Sequence, residues 1–441
     1  DWRTGETMQT SLLGIANKAK RDKKYKFGNL YELIDKKALY EAWRKIKKNS
    51  AAGVDKETAR EFRANLEENL NTMLEELKSK KYKAKLVKRV YIPKGNNGQR
   101  PLGLPTLRDK IIQRAAASIL EAIYEQDFIK DSYGYRPGKN AHQAIKSIKE
   151  ELSGKYNHVV EADIKGFFNN IDHKWLIRML EERINDGAFI RLIKKWLKAG
   201  ILDTDGKVIN PENGCPQGSV ISPILANIYL HYVIDLWFIK TVKPPTEGEA
   251  YYCRSADDFI FGFRYKKDAD KLLNTLGLRL KKFGLELAED KTGMVVFSRF
   301  KKHLKTKFSF LGFDFRWKVS RNGNDYILIE TNPKRMTKSL KAFKDWCKEN
   351  RNNRIKKIVD IVNSKLRGYF NYYAIRGNSL KINRFYDIAT KILYKWLNRR
   401  SQRRSFNFDE FNKKMEYYGL IKPRIIESPY EQMSIEDYSF A

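Results

Sequence analysis

The stretch Ala250-Tyr-Tyr-Cys-Arg-Ser-Ala-Asp-Asp-Phe-Ile-Phe-Gly-Phe263 decides how the rest of the chain is interpreted. An aromatic, β-rich run enters, residues 254–258 form a turn and residues 259–263 leave it, which predicts a β-hairpin. Two adjacent carboxylates, Asp257 and Asp258, lie in this turn with apolar residues on both sides. Most isolated Asp-Asp pairs are solvated turn residues, so this pair needs a second observation before it indicates a site.

A third carboxylate in a similar setting supplies that observation. In His158-Val-Val-Glu-Ala-Asp163-Ile-Lys-Gly-Phe-Phe168, a short apolar strand ends on Asp163. Carboxylates that a sheet places at strand ends are suited to holding two Mg²⁺ ions, for which Mn²⁺ is a substitute. Asp163, Asp257 and Asp258 are therefore the candidate metal ligands and catalytic residues.

The balance of charge indicates a polyanionic partner. Among 441 residues, Lys and Arg number 87 and Asp and Glu 53, which gives a formal net charge of +34. Lys and Arg displace condensed counterions from phosphate, so nucleic acid is the simplest partner. The alternative is a basic surface that is only solvated. So large a net charge repels itself, and a solvated surface gives no reason for keeping it.

Cysteine usage and hydropathy bear on the compartment. Cys215, Cys253 and Cys347 form no paired framework and no Cys-x-x-Cys motif, which indicates a reducing interior. We find no uninterrupted apolar run of about 18 residues, and the first residues do not have the pattern of a signal peptide. We therefore expect a cytoplasmic protein with no membrane partner; the sequence is silent on its oligomeric state.

Periodicity and composition predict three regions. Residues 1–55 form a basic helical extension, residues 56–331 mix helices with strands, and residues 332–441 are helical and strongly basic. Apolar spacing predicts helices over residues 8–24, 36–48, 57–78, 106–124, 141–152, 173–184, 187–199, 224–239 and 266–283. Strands are expected over residues 85–94, 158–163, 293–298 and 308–317.

A basic hairpin, a loop and a C-terminal cluster carry the remaining candidate residues. The hairpin near residues 85–103 contributes Lys88, Lys94 and Arg100, cations that suit phosphate beside a metal centre although such a hairpin alone is more often solvated. In the loop Asn213-Gly-Cys-Pro-Gln-Gly-Ser-Val-Ile-Ser-Pro223, Gln217 is a polar side chain near a helix N-terminus. The cluster Arg399-Arg-Ser-Gln-Arg-Arg404 supplies four candidate RNA-binding residues, Arg399, Arg400, Arg403 and Arg404.

Taken together, these motifs resemble the bacterial group II intron reverse transcriptases, also called intron-encoded maturases. The resemblance runs from about residue 8 to the end of the chain, with the motifs in the family's order. The matching segments are Arg-Val-Tyr-Ile-Pro-Lys94, Arg-Pro-Leu-Gly-Leu-Pro105, Tyr-Gly-Tyr-Arg-Pro-Gly138, Ala-Asp-Ile-Lys-Gly-Phe-Phe168, Pro-Gln-Gly218, Ala-Asp-Asp258, Phe310-Leu-Gly-Phe313 and Leu-Arg-Gly-Tyr-Phe-Asn-Tyr-Tyr373.

The resemblance implies an α+β right-hand polymerase, with fingers and an antiparallel palm followed by a helical thumb that doubles as an RNA-binding maturase domain. It implies intron RNA, an RNA template with a DNA primer, and dNTPs as partners, with nucleoid association during mobility. It assigns the three aspartates to two Mg²⁺ ions and Phe168 to the sugar of the incoming nucleotide, where its ring excludes a 2′-OH. Gln217 matches a nucleotide contact, and Lys88, Lys94 and Arg100 match the cations that grip the triphosphate. Phe168 as plain core and Lys88 as a solvated strand residue are the alternatives.

The sequence departs from the family's pattern at Ser255, where the family usually has the Tyr of Tyr-Ala-Asp-Asp. That Tyr packs near the primer end, so Ser255 questions efficiency or fidelity rather than the chemistry, and Tyr251 or Tyr252 is a candidate replacement for the ring. Ser219, where Gly or Ala is common, is a smaller change. No Cys/His-rich segment of the kind used by the family's DNA endonuclease precedes Ala441, so either this member lacks one or the segment was removed.

Three functional hypotheses remain open at this point. The first is an RNA-directed DNA polymerase that also binds and helps to splice its own intron RNA. The second is a splicing maturase with weak or lost polymerase activity, for which Ser255 is the only argument. The third is a reverse transcriptase recruited to host defence, whose reaction is the same as that of the first.

Overall fold

The computed structural model describes residues 8–94, 98–400 and 405–425, apart from the side chains of residues 8–10, 94 and 302. The chain forms two compact units, each assembled from three segments. Unit 1 comprises Asp1–Lys139, Ala162–Thr246 and Asp270–Thr292, and unit 2 comprises Asn140–Glu161, Glu247–Ala269 and Gly293–Ala441. The division into three regions at residues 55 and 331 stays a prediction.

Helices and strands alternate through most of the described chain. The helices are α1 (Met8–Arg21), α2 (Lys36–Lys45), α3 (Ala59–Ala64), α4 (Leu66–Lys78), α5 (Leu107–Tyr124), α6 (Ala141–Glu151), α7 (His173–Glu181), α8 (Gly187–Leu197), α9 (Ser222–Leu230), α10 (Lys266–Lys282), α11 (Pro333–Asn350), α12 (Ile355–Tyr373), α13 (Ser379–Leu397) and α14 (Phe408–Tyr417). The strands are β1 (Val87–Lys94), β2 (Gly98–Leu104), β3 (His158–Asp163), β4 (Ile201–Leu202), β5 (Val208–Ile209), β6 (Ala250–Ser255), β7 (Asp258–Phe263), β8 (Gly293–Val296), β9 (Phe308–Phe310), β10 (Phe313–Val319) and β11 (Asp325–Thr331).

Helix α5 is the central element of unit 1. Its Thr106 N-cap accepts a hydrogen bond from the Asp109 N–H, which satisfies one of the free donors of the first turn. Ile111, Ile119 and Ile123 are fully buried, and α1 and α2 pack against the helix. The predicted apolar face is therefore a core face. Unit 1 also contains a four-stranded sheet in the order β2-β1-β4-β5, in which only the β1–β4 pair is parallel.

Unit 2 contains two sheets, apart from the last two residues of β3, which belong to unit 1, and a helical C-terminal region. The first sheet has the order β6-β7-β3-β8, with antiparallel β6–β7 and β3–β8 pairs, and the second has the order β11-β10-β9. Helices α11 to α14 enclose a separate apolar core that includes Phe343, Val362 and Leu393. Within it the rings of Tyr369 and Phe385 stack with centroids 3.5 Å apart, the kind of aromatic contact that contributes beyond area burial.

The helical stretch Ser222–Val242 is long and apolar enough to cross a membrane by length and composition. The sequence did not show it as an uninterrupted apolar run, because polar residues such as His231 and Asp235 lie within it. However, 72% of the apolar window is buried in the fold, as in the core helix of a soluble protein. His231 and Asp235 are themselves buried, with their side chains 3.7 Å apart.

Candidate functional site

The β6–β7 hairpin presents Asp257 and Asp258 at the edge of a dense apolar core. Ser255 and Asp258 are the last paired residues, so Ala256 and Asp257 form a two-residue turn, with Ala256 in the left-handed region at φ 56°. Such a turn is one of the tight connections that suit antiparallel strands, and a non-glycine residue in this conformation is a strained position of the kind found at functional sites. Asp257 is half-buried and Asp258 is exposed.

The residues behind the turn hold it in place. Arg254 is fully buried, and its Nη1 donates to the Ala256 carbonyl oxygen at 3.2 Å. Tyr252 packs against Phe261 with ring centroids 5.1 Å apart, and the Tyr251 hydroxyl is 2.9 Å from the Ser147 hydroxyl. Both tyrosine rings are buried, so neither replaces at the tip of the hairpin the aromatic ring that Ser255 lacks.

Strand β3 is the neighbour of β7 in the first sheet of unit 2. The Asn157 N–H, just before β3, donates to the carbonyl oxygen of Phe263, the last residue of β7, at 3.0 Å. The start of β3 therefore lies beside the end of β7, and the two strands run in opposite directions. β3 ends at Asp163 and β7 begins at Asp258.

Lys291 is a site residue that the sequence did not predict. Its ammonium group forms an ion pair with Asp163 Oδ2, and the Asp163 side chain is only 14% exposed. The Ala288 N–H also donates to the Asp163 carbonyl oxygen at 2.8 Å. Lys291 lies two residues before β8, so the pairing of β3 with β8 was the one signal that could have revealed it.

Phe168 lies directly after β3, in a short 3₁₀ turn (Phe167–Asn169) entered through the left-handed Gly166. Its ring is half-buried and contacts Tyr135 edge-on, with centroids 6.3 Å apart, whereas Phe167 is buried. The adjacent residue Phe167 thus fills the core. The partial exposure of Phe168 is what a contact with a ligand requires, and its role in sugar selection stays a prediction.

Gln217 lies in a loop that packs against two other parts of unit 1. The Cys215 N–H donates to the Phe168 carbonyl oxygen at 2.7 Å, and the Gly103 N–H donates to the Gln217 carbonyl oxygen at 2.5 Å. At Gly218, φ is 101° and an added Cβ would lie 2.7 Å from the Gly103 oxygen, so this position requires glycine. Gln217 lines a cavity of about 210 Å³ together with Arg89, Gly103, Asn169 and Gly214.

The departure at Ser219 is accommodated within the fold. Its buried hydroxyl donates to Gln113 Oε1 at 2.7 Å, and the Val220 N–H donates to the same oxygen at 3.1 Å. A buried hydroxyl with a partner carries no desolvation penalty of the kind that an unpaired one does. Ser219 is thus a structural residue of the loop that carries Gln217.

The β1–β2 hairpin presents different cations on its two faces. Arg100 is paired with Ile92, and Lys88 lies four residues before Ile92 on the same strand, so Lys88 and Arg100 share one face. Both are exposed, and in the described part of the chain neither forms an ion pair. On the other face Arg89 pairs with Asp203 at 3.1 Å. Lys94 is the last residue of β1, and its side chain lies outside the described residues.

The structure describes two of the four C-terminal arginines that the sequence suggested for RNA binding. The Arg399 guanidinium is exposed and lies 5.5 Å from the centroid of the Trp396 ring. Arg400 donates through Nε and Nη2 to the carbonyl oxygens of Arg351 and Asn353, and burial lowers its pKa. Arg403 and Arg404 lie outside the described residues. Arg400 therefore already has a structural partner, and RNA binding by this cluster stays a prediction.

Comparison with known proteins identifies the class of this molecule. Residues 92–315 match the family model for reverse transcriptases, described as RNA-dependent DNA polymerases. The match begins within β1 and ends within β10, includes all three aspartates, and confirms the α+β polymerase fold expected from the sequence.

The relatives narrow the class further. The chain is 32% identical over 445 aligned positions to the group II intron-encoded protein LtrA of Lactococcus lactis, covering 81% of this chain and 72% of the relative. It is 33% identical to protein YkfC of Escherichia coli, covering 66% of this chain and 82% of that one. The chain therefore belongs to the group II intron-encoded reverse transcriptases, a family of RNA-directed DNA polymerases.

One solved structure to which the chain is similar is that of a telomerase from Candida albicans with a fragment of telomeric RNA. The similarity covers 77% of this chain and 64% of the telomerase, at 13% identity and a TM-score of 0.43. At that level of similarity, no residue role carries over to this chain.

Proposed function

We propose that this chain copies RNA into cDNA with two Mg²⁺ ions held by Asp163, Asp257 and Asp258, and that it binds intron RNA to assist splicing and mobility. The observation that carries the first part is the topology of one sheet. In the sheet ordered β6-β7-β3-β8, Asp163 is the last residue of β3, Asp258 is the first residue of β7, and Asp257 lies in the turn before it. For β3 and β7 these ends carry the carboxylates.

The donor set fits a hard divalent cation. Reverse transcriptases in general use divalent metal ions. Asp163 Oδ2 already forms an ion pair with the ammonium group of Lys291, so this oxygen is in contact with a positive charge. Among the described residues, no three His, Cys, Asp or Glu side chains converge to form a protein cage for a metal. Carboxylate oxygens are ligands that Mg²⁺ takes, and this ion keeps several waters and binds substrate phosphates as well. When bound, the ions would lower the pKa of the primer 3′-OH and offset charge on the departing pyrophosphate.

The chain's own residues supply positioning around this centre. Lys88 and Arg100, on one face of the β1–β2 hairpin, would bind the triphosphate. Lys88 would do so through its compact ammonium charge, and Arg100 through the paired N–H donors of its guanidinium. The half-buried ring of Phe168 would contact the sugar, and Gln217 would contact the nucleotide from its cavity. Lys291 would neutralise Asp163 whenever no metal ion is there, because a lone carboxylate at a largely buried strand end is costly.

Binding of intron RNA is supported by charge and by the names of the relatives. The +34 net charge suits a polyanion. Besides the intron-encoded protein of Lactococcus lactis, the chain is 30% identical over 151 residues to nuclear intron maturase 3 of Arabidopsis thaliana. The retention of all three carboxylates favours a working polymerase over a maturase that has lost this activity.

Primer extension tests the proposal. The full chain should extend a DNA primer on an RNA template with dNTPs and Mg²⁺, and excess chelator should stop synthesis while leaving RNA bound. Sustained RNA binding without extension, in Mg²⁺ or in Mn²⁺, would support the maturase alternative instead.

A further inference from the structure

The segment between β8 and β9 exposes an aromatic ring to solvent. Residues 299–305, called here the Phe300 segment, contain a 3₁₀ stretch (Arg299–Leu304) that is kinked at Lys301. Phe300 is 73% exposed and Leu304 is 50% exposed. A large apolar side chain exposed to this degree within a polar surface is a mark of an interaction site when its surroundings also fit a partner.

Buried contacts hold both ends of the Phe300 segment. On one side Phe297 is fully buried and meets the Phe308 ring edge-on, with centroids 4.8 Å apart. Phe308, on the other side, stacks on Phe315 with centroids 4.7 Å apart and an interplanar angle of 4°. The Thr306 hydroxyl donates to the Val296 carbonyl oxygen and closes the base of the segment. The exposure of Phe300 therefore belongs to an anchored segment of unit 2.

The surroundings of Phe300 are positively charged. Residues 291–313 contain six Lys and Arg residues and no Asp or Glu. Over the described residues, no ion pair neutralises Arg299, Lys301 or Lys305, all of which are exposed. The Arg299 guanidinium lies 4.7 Å from the centroid of the Phe300 ring. An aromatic ring and uncompensated cations thus lie together.

We propose that the Phe300 segment binds an unpaired RNA strand, with a base stacked on the Phe300 ring and phosphates contacting Arg299, Lys301 and Lys305. Every base has a π-face, so stacking on an aromatic ring combined with a basic surface is how proteins bind single strands without reading sequence. A base pair within a duplex has no free face to offer, which makes the unpaired strand the fitting partner. This inference rests on the proposed function in so far as RNA is the partner.

The test compares variants of the full chain in their affinity for an unpaired RNA oligonucleotide and for an RNA duplex of equal length. Phe300→Ala should raise the Kd for the unpaired strand by at least about fivefold, because it removes the binding energy that one stacked base usually contributes. It should leave the duplex Kd within about twofold, and Phe300→Trp should bind the unpaired strand as tightly as the unchanged chain. The control is Leu278→Ala, because Leu278 on α10 is 70% exposed and should contribute nothing.

Three results would overturn the inference. These are an unchanged Kd in Phe300→Ala, an equal loss for unpaired and duplex RNA, or loss of binding to anionic lipid vesicles with no effect on RNA. Primer extension by the same variants separates this inference from the proposed function. Extension by the unchanged chain with an unaltered Kd in Phe300→Ala would reject only the Phe300 site. Absent extension with the expected loss of unpaired-strand affinity would reject only the polymerase proposal.

Discussion

At the scale of single residues, Ser255 is the departure from the family's pattern that we expect to affect the polymerase rate. It is half-buried, pairs with Asp258 at the end of the hairpin and occupies the place where the family usually has a Tyr. The rings of Tyr251 and Tyr252 are held in the core, so a primer end bound at this turn would lack the packing area that an aromatic side chain supplies. Displacement of a reacting group by about 1 Å can cost about a hundredfold in rate.

We therefore expect a slow polymerase in which Ser255→Tyr speeds primer extension and leaves RNA affinity unchanged. Steady-state extension by the two proteins on one RNA template measures the effect. If the Ser255→Tyr protein is no faster, the site has been rebuilt around serine and the argument fails.

Phe168 provides a second prediction at this scale. Since its ring is half-buried and the neighbouring Phe167 fills the core, removal of the Phe168 ring should alter the site more than the fold. Phe168→Ala should raise incorporation of ribonucleotides relative to deoxyribonucleotides, because only the 2′-OH distinguishes the two sugars. Competition between dNTP and rNTP in one extension assay measures the ratio. Unchanged sugar discrimination together with lower thermal stability would assign Phe168 to the core.

At the scale of elements, a polar network joins β3 to the second sheet of unit 2. Glu161, two residues before Asp163, accepts a hydrogen bond from the Ser309 N–H in β9. The Ser309 hydroxyl donates to Asp314 Oδ1 at 2.8 Å, and Asp314 also pairs with Lys307. Burial raises the pKa of Glu161; the Ser309 N–H opposes that rise, and the charge of Asp314 adds to it.

This network predicts a pH-dependent contribution to stability. The pKa of Glu161 is higher in the folded chain than in the unfolded chain, where a Glu titrates near about 4.3. The stabilising contribution of its proton is therefore fully present below that value and is lost as pH rises through the folded-state pKa. Glu161→Gln keeps an oxygen for the Ser309 N–H and removes the ionisation. Its free energy of unfolding should fall less than that of the unchanged chain as pH rises from about 4 to 7.

Urea unfolding at several pH values tests this prediction. The control is Glu150→Gln, since Glu150 is an exposed α6 carboxylate whose nearest cation, Lys146, is 3.8 Å away. The difference between the unchanged chain and Glu161→Gln should grow with pH, whereas that for Glu150→Gln should stay small. Parallel curves for all three proteins would show that Glu161 is not the titrating group.

The elements also show how far the sequence could predict the fold. Long amphipathic helices such as α5 and the aromatic β6–β7 hairpin were predicted because their periodicity is local. The helix predicted over residues 57–78 was wrong in one respect: it breaks at Asn65, with φ −121° and ψ 43°, into α3 and α4. Strands β4 and β5 have two residues each, too few to show an alternation.

The residues of the candidate site likewise fall into those that the sequence could reveal and those that it could not. The three carboxylates, Phe168 and Gln217 were visible as local motifs. Lys291 was not, because its partner Asp163 lies 128 residues away along the chain and only the β3–β8 pairing brings the two together. The partners of Glu161 were missed for the same reason, since β9 meets β3 only in the folded chain. Contacts of this kind are set by tertiary pairing, which one sequence does not display.

At the scale of the whole molecule, the +34 charge predicts that RNA binding depends steeply on salt. Each phosphate neutralised on a single strand contributes about 0.7 to the slope of log K against log salt concentration.

Arg399→Glu, at an exposed guanidinium beside Trp396, should lower that slope and weaken RNA binding more than it slows nucleotide incorporation. Arg400→Glu should instead lower the thermal stability, because Arg400 donates to two backbone carbonyl oxygens. An affinity that is flat from low to moderate salt would refute the interpretation of the charge.

The central claim, that the strand-end carboxylates perform RNA-templated DNA synthesis, is tested most directly by Asp257→Asn. The substitution keeps the size of the side chain at the half-buried turn position and removes its charge. We expect primer extension on an RNA template to be abolished while the Kd for RNA and the thermal stability stay close to those of the unchanged chain. Glu150→Gln, an exposed carboxylate in the same unit, should extend the primer normally. Extension that survives in Asp257→Asn, or an equal loss of extension and RNA binding, would contradict the account.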